Sequence, residues 1–405
     1  MLYSRARMKA RSPLAIVFLT VALDLLGFGL IIPVAPYYAQ HFHASETEVA
    51  LLGTVYSAMQ FVFVPLWGRL SDRVGRRPVL LVSILASAVS MAMFGAAQSY
   101  WWLFAARAFS GAATANIAVA QAYVADVTTP ANRAKGMGLI GAAFGIGFVL
   151  GPFAGGQLSS LGRAIGIGYG LVGYGAAALA LVNFGLALAL LPESHKPGTA
   201  VEGEARAGRL AQLREAFSLP GLTGLFAVFF GATFAFANLE WTFALLTQER
   251  LGWTPAVGGD RYNGYVFGFI GVIAAVIQGG LIGPLTRRLG ERRLLWGGLV
   301  LLSAGLATLA TVRTLPVLLA ACVLFSMGNS VTGPSVASLV SRRAPAGSQG
   351  SVLGVQQSVG ALARVVGPTC GGLLFQHVGS AYPFVTGSVA MAVALVIALL
   401  AIRDV

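Results

Sequence analysis

Long uncharged apolar runs alternate with short polar connectors along the whole chain, and each run is long enough to be one helix across a bilayer. A crossing takes about 20 apolar residues. Twelve stretches qualify: 14 to 40, 48 to 70, 78 to 98, 101 to 126, 136 to 158, 165 to 191, 221 to 247, 264 to 285, 294 to 312, 316 to 340, 350 to 375 and 382 to 402. Lipid offers backbone groups no hydrogen-bond partner, so spans of this kind predict helices. The expectation is an all-α membrane protein of twelve transmembrane helices, with connectors too short for a sizeable aqueous domain.

Shifting the chain against itself by about 216 residues aligns several features at once, the mark of a parallel repeat. Gly151, Pro152, Gly155 and Gly156 fall on Gly367, Pro368, Gly371 and Gly372, and Asp24 falls on Glu240. GRLSDRVGRRPVL (68 to 80) falls on GPLTRRLGERRLL (283 to 295). The predicted organisation is two parallel six-helix repeats, 1 to 191 and 221 to 405, joined by a polar cytoplasmic linker over 192 to 220.

Composition agrees: 57% of the 405 residues are hydrophobic and 10% charged, where a soluble domain carries about 25% charged residues. An ordinary soluble enzyme is excluded. The net charge of +13 would suggest nucleic acid were it not for its placement. Most lysines and arginines fall in the N-terminus and in alternate connectors, so the positive-inside rule predicts a multi-pass membrane protein with both termini cytoplasmic. The basic surplus then meets lipid headgroups, and no nucleic-acid partner is expected. Arg5, Arg7, Lys9 and Arg11 precede an apolar run that carries Asp24 and lacks a small-residue cleavage site, which reads as a retained first span rather than a signal peptide. Cys322 and Cys370 fall in spans and read as packing residues; the four histidines lie scattered in loops. No metal-ligand spacing, His pair or nucleophile elbow is present, so neither enzyme chemistry nor a cofactor is expected beyond the proton as coupling ion.

The connector after span 2 reads Gly68, Arg69, Leu70, Ser71, Asp72, Arg73, Val74, Gly75, Arg76, Arg77, Pro78. Glycines permit a tight turn and close helix approach, and an acid among arginines can form a charge-assisted network at the membrane edge. This loop resembles the signature loop of the major facilitator superfamily. LDLLGFGLIIPVAP (23 to 36), RAFSGAATAN (107 to 116) and GFVLGPFAGG (147 to 156) are similar to motifs of its twelve-span drug:proton antiporters, tetracycline efflux pumps above all, which also carry segments like LPESHK (191 to 196) and RLGERR (288 to 293). The resemblance implies a gating set, Gly68, Asp72, Arg73, Gly75, Arg76, Arg77 and Asp126, in which Asp72, Arg76 and Asp126 latch the halves in the outward-facing state. It implies a proton-coupling role for Arg107, and an antiporter motif of Gly147, Gly151, Pro152, Gly155 and Gly156 associated with export by exchange. Two departures stand out: Arg287 occupies the second-half position of the signature acid, which predicts an asymmetric latch, and Ser90 and Leu302 stand where tetracycline pumps carry acids in spans 3 and 9. Tetracycline itself is therefore not the expected substrate.

Charges at bilayer depth cost at least about 2.5 to 3.5 kcal/mol and are read as functional. Asp24 lies ten residues into span 1, about 15 Å deep at 1.5 Å per residue, near the middle of the hydrocarbon. Arg107 enters span 4 from the outer side and can reach a similar depth, which predicts an Asp24 and Arg107 pair that switches with proton binding. Glu240 and Arg364 are the expected second pair. At 100° per residue Gln121 shares a face with Arg107, Gln357 with Arg364 and Thr233 with Glu240; with Gln60 and Asn329 these are the candidate substrate-cavity residues. The reading is a secondary active transporter, a monomer in the bilayer, performing proton-coupled efflux of small amphipathic drugs or metabolites by alternating access. Two alternatives stand beside it, a facilitator or exchanger of a physiological metabolite such as an organic anion, and a transporter-like sensor without transport.

Overall fold

The computed structural model describes residues 13–114, 116–194, 214, 216–219, 221–345 and 349–401. The basic N-terminal segment and residues 195 to 213 of the linker lie outside the described residues. The elements described are helical: α1 (Pro13–Ile31), α2 (Ala35–His41), α3 (Glu46–Val74), α4 (Arg76–Gly95), α5 (Tyr100–Ala113), α6 (Asn116–Val127), α7 (Pro130–Ala164) and α8 (Gly170–Leu190) in the first half. The second half holds α9 (Leu222–Leu251), α10 (Gly259–Val276), α11 (Ile282–Ala310), α12 (Leu315–Arg343), α13 (Gln349–His377) and α14 (Tyr382–Ala401). Among the described residues, 11 helical segments are long and apolar enough to cross a membrane.

The expected spans reappear with three local differences. Span 1 divides into α1 and α2 around Pro33, whose missing N–H cannot continue the ladder. Span 4 divides at Thr114 into α5 and α6. Spans 8 and 9 are continuous from Gly259 to Ala310, through a π-helical segment at Ile277–Leu281, and the connector expected after span 8 survives only as a break at Gly290. Helix starts follow local chemistry: Ser45 and Glu48 form a reciprocal capping box on α3, and the Ser99 side chain accepts from Trp102 N at the head of α5.

The repeat is visible in the backbone. Gly75, between α3 and α4, has φ 103° and ψ 160°; Gly290, 215 positions later, has φ 75° and ψ 159°. Both are conformations that only glycine adopts without strain. The glycine motifs repeat as interfaces too. A side chain on Gly147, Gly151 or Gly155 would strike the backbone of α1, while Gly156 lies against Asp260 and Arg261 of α10 in the other half. In the second half Gly367 and Gly371 pack on α9, and Gly372 meets Thr47 and Ala50 of α3. Each motif thus has one face within its own half and one across the divide. Gly68 differs from expectation: it lies inside α3, with nothing near enough to require a glycine.

Both breaks, at Gly75 and Gly290, lie at the same end of the bundle, here the basic end. The polar bonds that join the halves cluster at the opposite end. Arg163 Nη1 lies 2.6 Å from Asp260 Oδ2, Tyr37 Oη donates to Trp253 O at 2.9 Å, and Asn263 Nδ2 donates to Tyr37 Oη at 2.8 Å. The Thr54 and Thr369 hydroxyls meet at 2.7 Å. Between the halves, on the basic side of these contacts, lies a cavity of about 1120 Å³.

Candidate functional site: the cavity between the halves

The cavity is lined by helices from both halves, and its wall is mostly apolar, with aromatic rings from Phe28, Phe148, Phe236 and Phe325. Its polar groups include all five candidates, Gln121, Thr233 and Gln357 from helical faces and Gln60 and Asn329 beside them. Asp24, Glu240 and Arg364 also reach the surface. Toward the basic end the lining is exposed at Gln121, Gly138, Gln278 and Gln357, whereas Tyr37, Asp260 and Asn263 at the other end are buried. The cavity therefore opens toward the basic end and is closed at the opposite one.

Arg107 departs from the expected arrangement. It is 2% exposed and does not line the cavity. Its guanidinium carbon lies 4.3 Å from the Tyr56 ring centroid, 5.6 Å from that of Trp241 and 5.7 Å from that of Phe28. Nε and Nη1 have no hydrogen-bond partner. The expected Asp24 and Arg107 pair is thus replaced by an aromatic cage, for which the physical reason is close packing: Gly111 of α5 lies directly against the Tyr56 backbone, bringing that ring beside the guanidinium. A cation over ring faces gains up to about 2 kcal/mol when desolvated, which offsets part of the cost of burial.

Glu240 and Arg364 likewise do not close into an ion pair. Glu240 interacts electrostatically with both Arg107 and Arg364, one from each half, rather than with Arg364 alone. Pairing within the second half missed this, since one of the two cations comes from the other repeat. Ser90 and Leu302, read as positions of lost acids, are buried among packed helices away from the cavity wall, Ser90 Oγ donating to Ser87 O.

At the basic end Arg76 gathers the signature loop. Its Nη1 lies 2.6 Å from Asp72 Oδ1 and donates to Ser71 Oγ at 2.6 Å, and its Nε lies 3.1 Å from Asp126 Oδ2. The three residues of the expected latch therefore meet, and all belong to the first half. Arg77 donates from Nη2 to Leu188 O, and Arg73 closes the last turn of α3. Sequence reading assigned no role to Glu193, yet its carboxylate accepts from the backbone N of Arg76 and of Arg77 at 2.9 and 3.1 Å, capping α4 where Gly75 offers no side chain. The only hint along the chain was an acid just after the end of the sixth span.

The second half repeats this geometry with the charges reversed. Glu291 and Arg342, the positional equivalents of Arg76 and Asp126, approach to 3.1 Å, and Ser338 Oγ donates to Glu291 Oε1 at 2.6 Å. The asymmetry expected from Arg287 is thus an inversion of sign in one shared geometry.

The sequence profile described as the Major Facilitator Superfamily matches residues 17–368. The tetracycline resistance protein, class C, of Escherichia coli is 31% identical over 89% of this chain and 89% of its own length. The human major facilitator superfamily domain-containing protein 10 is 30% identical over 93% of this chain and 90% of its own. The crystal structure of that human protein, described as an organic anion transporter, superposes with a TM-score of 0.70 at 28% identity, covering 96% of this chain and 99% of the other.

Proposed function

The chain belongs to the major facilitator superfamily, a family of transporters, and from that premise we propose that it exports a small amphipathic compound in exchange for protons by alternating access. The observation that carries this reading is the cavity: apolar and aromatic over most of its wall, bearing two carboxylates at membrane depth, and open at one end only. A carboxylate that can hold either a proton or the polar end of a substrate couples the two flows by competition. With the basic end placed in the cytoplasm of a bacterial-type inner membrane, this conformation is cytoplasm-open and ready to load. Asp24 is the principal proton carrier and Glu240 the second titrating group, and Arg107 and Arg364 set the field around them. The network of Arg76, Asp72 and Asp126 holds the first-half surface that docks when the cytoplasmic end closes, and the glycines of α1 and α7 let the helices approach as the halves rock. The protein works as a monomer.

Purified protein in liposomes tests the proposal. An imposed pH gradient should drive uphill movement of a lipophilic compound, and addition of that compound should evoke proton flux in the opposite direction. Compound movement without proton flux overturns exchange; no movement across a broad panel favours a sensor.

A second reading, facilitated exchange of an organic anion, is favoured by Arg364, which reaches the cavity without an ion-pair partner among the described residues, and by the likeness to the human organic anion transporter. Gradient-independent counterflow of an aromatic carboxylate separates it from proton exchange.

A further inference from the structure

Which charges a ligand can touch in the cavity depends on one aromatic side chain. Asp24, Glu240 and Arg364 reach its surface; Arg107 does not. Tyr56 lines the cavity and lies over the guanidinium at 4.3 Å, its hydroxyl held by Thr114 Oγ1 at 3.4 Å and its ring 5.3 Å from that of Phe28. Trp241, from the other half, closes the far side, its indole seated against Gly53 of α3, where any larger residue would collide with it. Arg107 thus has two unpartnered nitrogens and no route to a ligand. The ring does not cancel the cation's field, part of which is taken up by Glu240. What it removes is contact: no substrate group can form a charge-assisted hydrogen bond with Arg107 while the cage is closed.

We propose that Tyr56, with Phe28 and Trp241, is a specificity-determining shutter over Arg107. With the shutter closed, a substrate meets two carboxylates against one guanidinium, and the cavity favours an amphiphile carrying a positive charge. With the shutter removed, the wall is balanced, the orphaned nitrogens of Arg107 become available, and the carboxylate of an aromatic anion is accepted. Because the cage takes Trp241 from the second half and the other rings from the first, movement of the halves takes the cage apart. This inference rests on the transport reading, since it concerns the same cavity.

Two probes of similar bulk and opposite charge test it, tetraphenylphosphonium and 4-tritylbenzoate, with equilibrium binding to purified full-length protein as the readout. The parent should bind the cation more tightly. Tyr56→Leu should tighten benzoate binding about tenfold, the effect of one charge-assisted bond, and weaken binding of the cation. Tyr56→Phe keeps the ring and should match the parent. Trp241→Leu opens the cage from the other side and should shift the ratio in the same direction, which keeps the test available should Tyr56→Leu not fold. An unchanged ratio of the two affinities in folded Tyr56→Leu or Trp241→Leu protein overturns the shutter alone, as does a Tyr56→Phe protein that behaves like Tyr56→Leu. A parent that binds neither probe overturns the cavity as an amphiphile site, and the transport reading with it.

Discussion

Arg163 and Asp260 lie on opposite halves and meet at 2.6 Å, with the Asp260 side chain wholly buried and its second oxygen without a partner. The pair closes the end of the cavity away from the basic face, beside the Tyr37, Asn263 and Thr247 hydrogen bonds. Charge-assisted bonds are worth about 1.5 to 3 kcal/mol, and each 1.4 kcal/mol changes an equilibrium tenfold. Asp260→Asn should therefore shift the population toward the opposite, outward-open state by about tenfold or more. Labelling of single cysteines from each side measures the shift. A charge-exchanged double variant, Arg163→Asp with Asp260→Arg, should recover part of it; an unchanged labelling ratio in Asp260→Asn shows that the pair does not gate.

The network at the other end should act with the opposite sign. Asp72 is half-exposed at the tip of α3, held by Arg76, which Asp126 and Ser71 hold in turn. In this conformation no described residue of the second half is bonded to this trio, so its contribution is expected when the basic end closes. Asp72→Asn should shift labelling toward cytoplasm-open, by an amount within the same 1.5 to 3 kcal/mol range. Equal and same-signed shifts from Asp72→Asn and Asp260→Asn would indicate general loosening rather than two gates.

The parts legible in the sequence are those that depend on local periodicity or on the repeat. Thr233 and Gln357 were placed by the 100° step from Glu240 and Arg364 and line the cavity with them, because a helix carries its own face with it; Gln121 lines it too, although Arg107, from which it was stepped, does not and span 4 breaks between them. The Gly75 and Gly290 breaks follow from one alignment at fixed shift. What could not be read was partner choice across the two halves. Arg107 was matched with Asp24, yet it lies among Tyr56, Phe28 and Trp241, because docking of α9 on α3 decides what covers it. Arg163 and Asp260 fall between the expected spans; only the meeting of α7 and α10 brings them together and buries Asp260. The continuous helix from 259 to 310 was hidden because a polar stretch reads as a loop even where it remains helical and leaves the membrane in line.

Asp24 is the residue on which proton coupling should depend most. It lies within α1, on the cavity wall, where α1 is clamped against α7 by glycines at 147, 151 and 155. Asp24→Asn keeps size and hydrogen-bonding capacity but cannot titrate. Uphill exchange driven by a pH gradient should be abolished while binding of the compound is retained in part. Glu240→Gln should weaken coupling less and chiefly alter affinity, because Glu240 interacts with two arginines whose charges would then be uncompensated. Full pH-driven exchange by Asp24→Asn would move the proton site elsewhere in the cavity.

The charge-inverted pairs allow a comparison at matched geometry. Arg76 with Asp126 and Glu291 with Arg342 share the same separation of 3.1 Å and equivalent places in the two repeats. Their surroundings differ: the Arg76 side chain is 9% exposed and Asp126 23%, whereas Arg342 is 70% exposed. Water and salt screen an exposed pair, and holding a long side chain in place costs entropy, so such pairs contribute about 0.2 to 1 kcal/mol. A double-mutant cycle on Glu291 and Arg342, read by thermal unfolding in detergent, should give a coupling in that range that fades as salt is added. The cycle on Arg76 and Asp126 should give a larger coupling with less salt dependence, because Arg76 is enclosed and bonded to Ser71 as well. Equal couplings at low and high salt would mean that burial is not what separates the two halves, and that the reversal of sign is without energetic consequence.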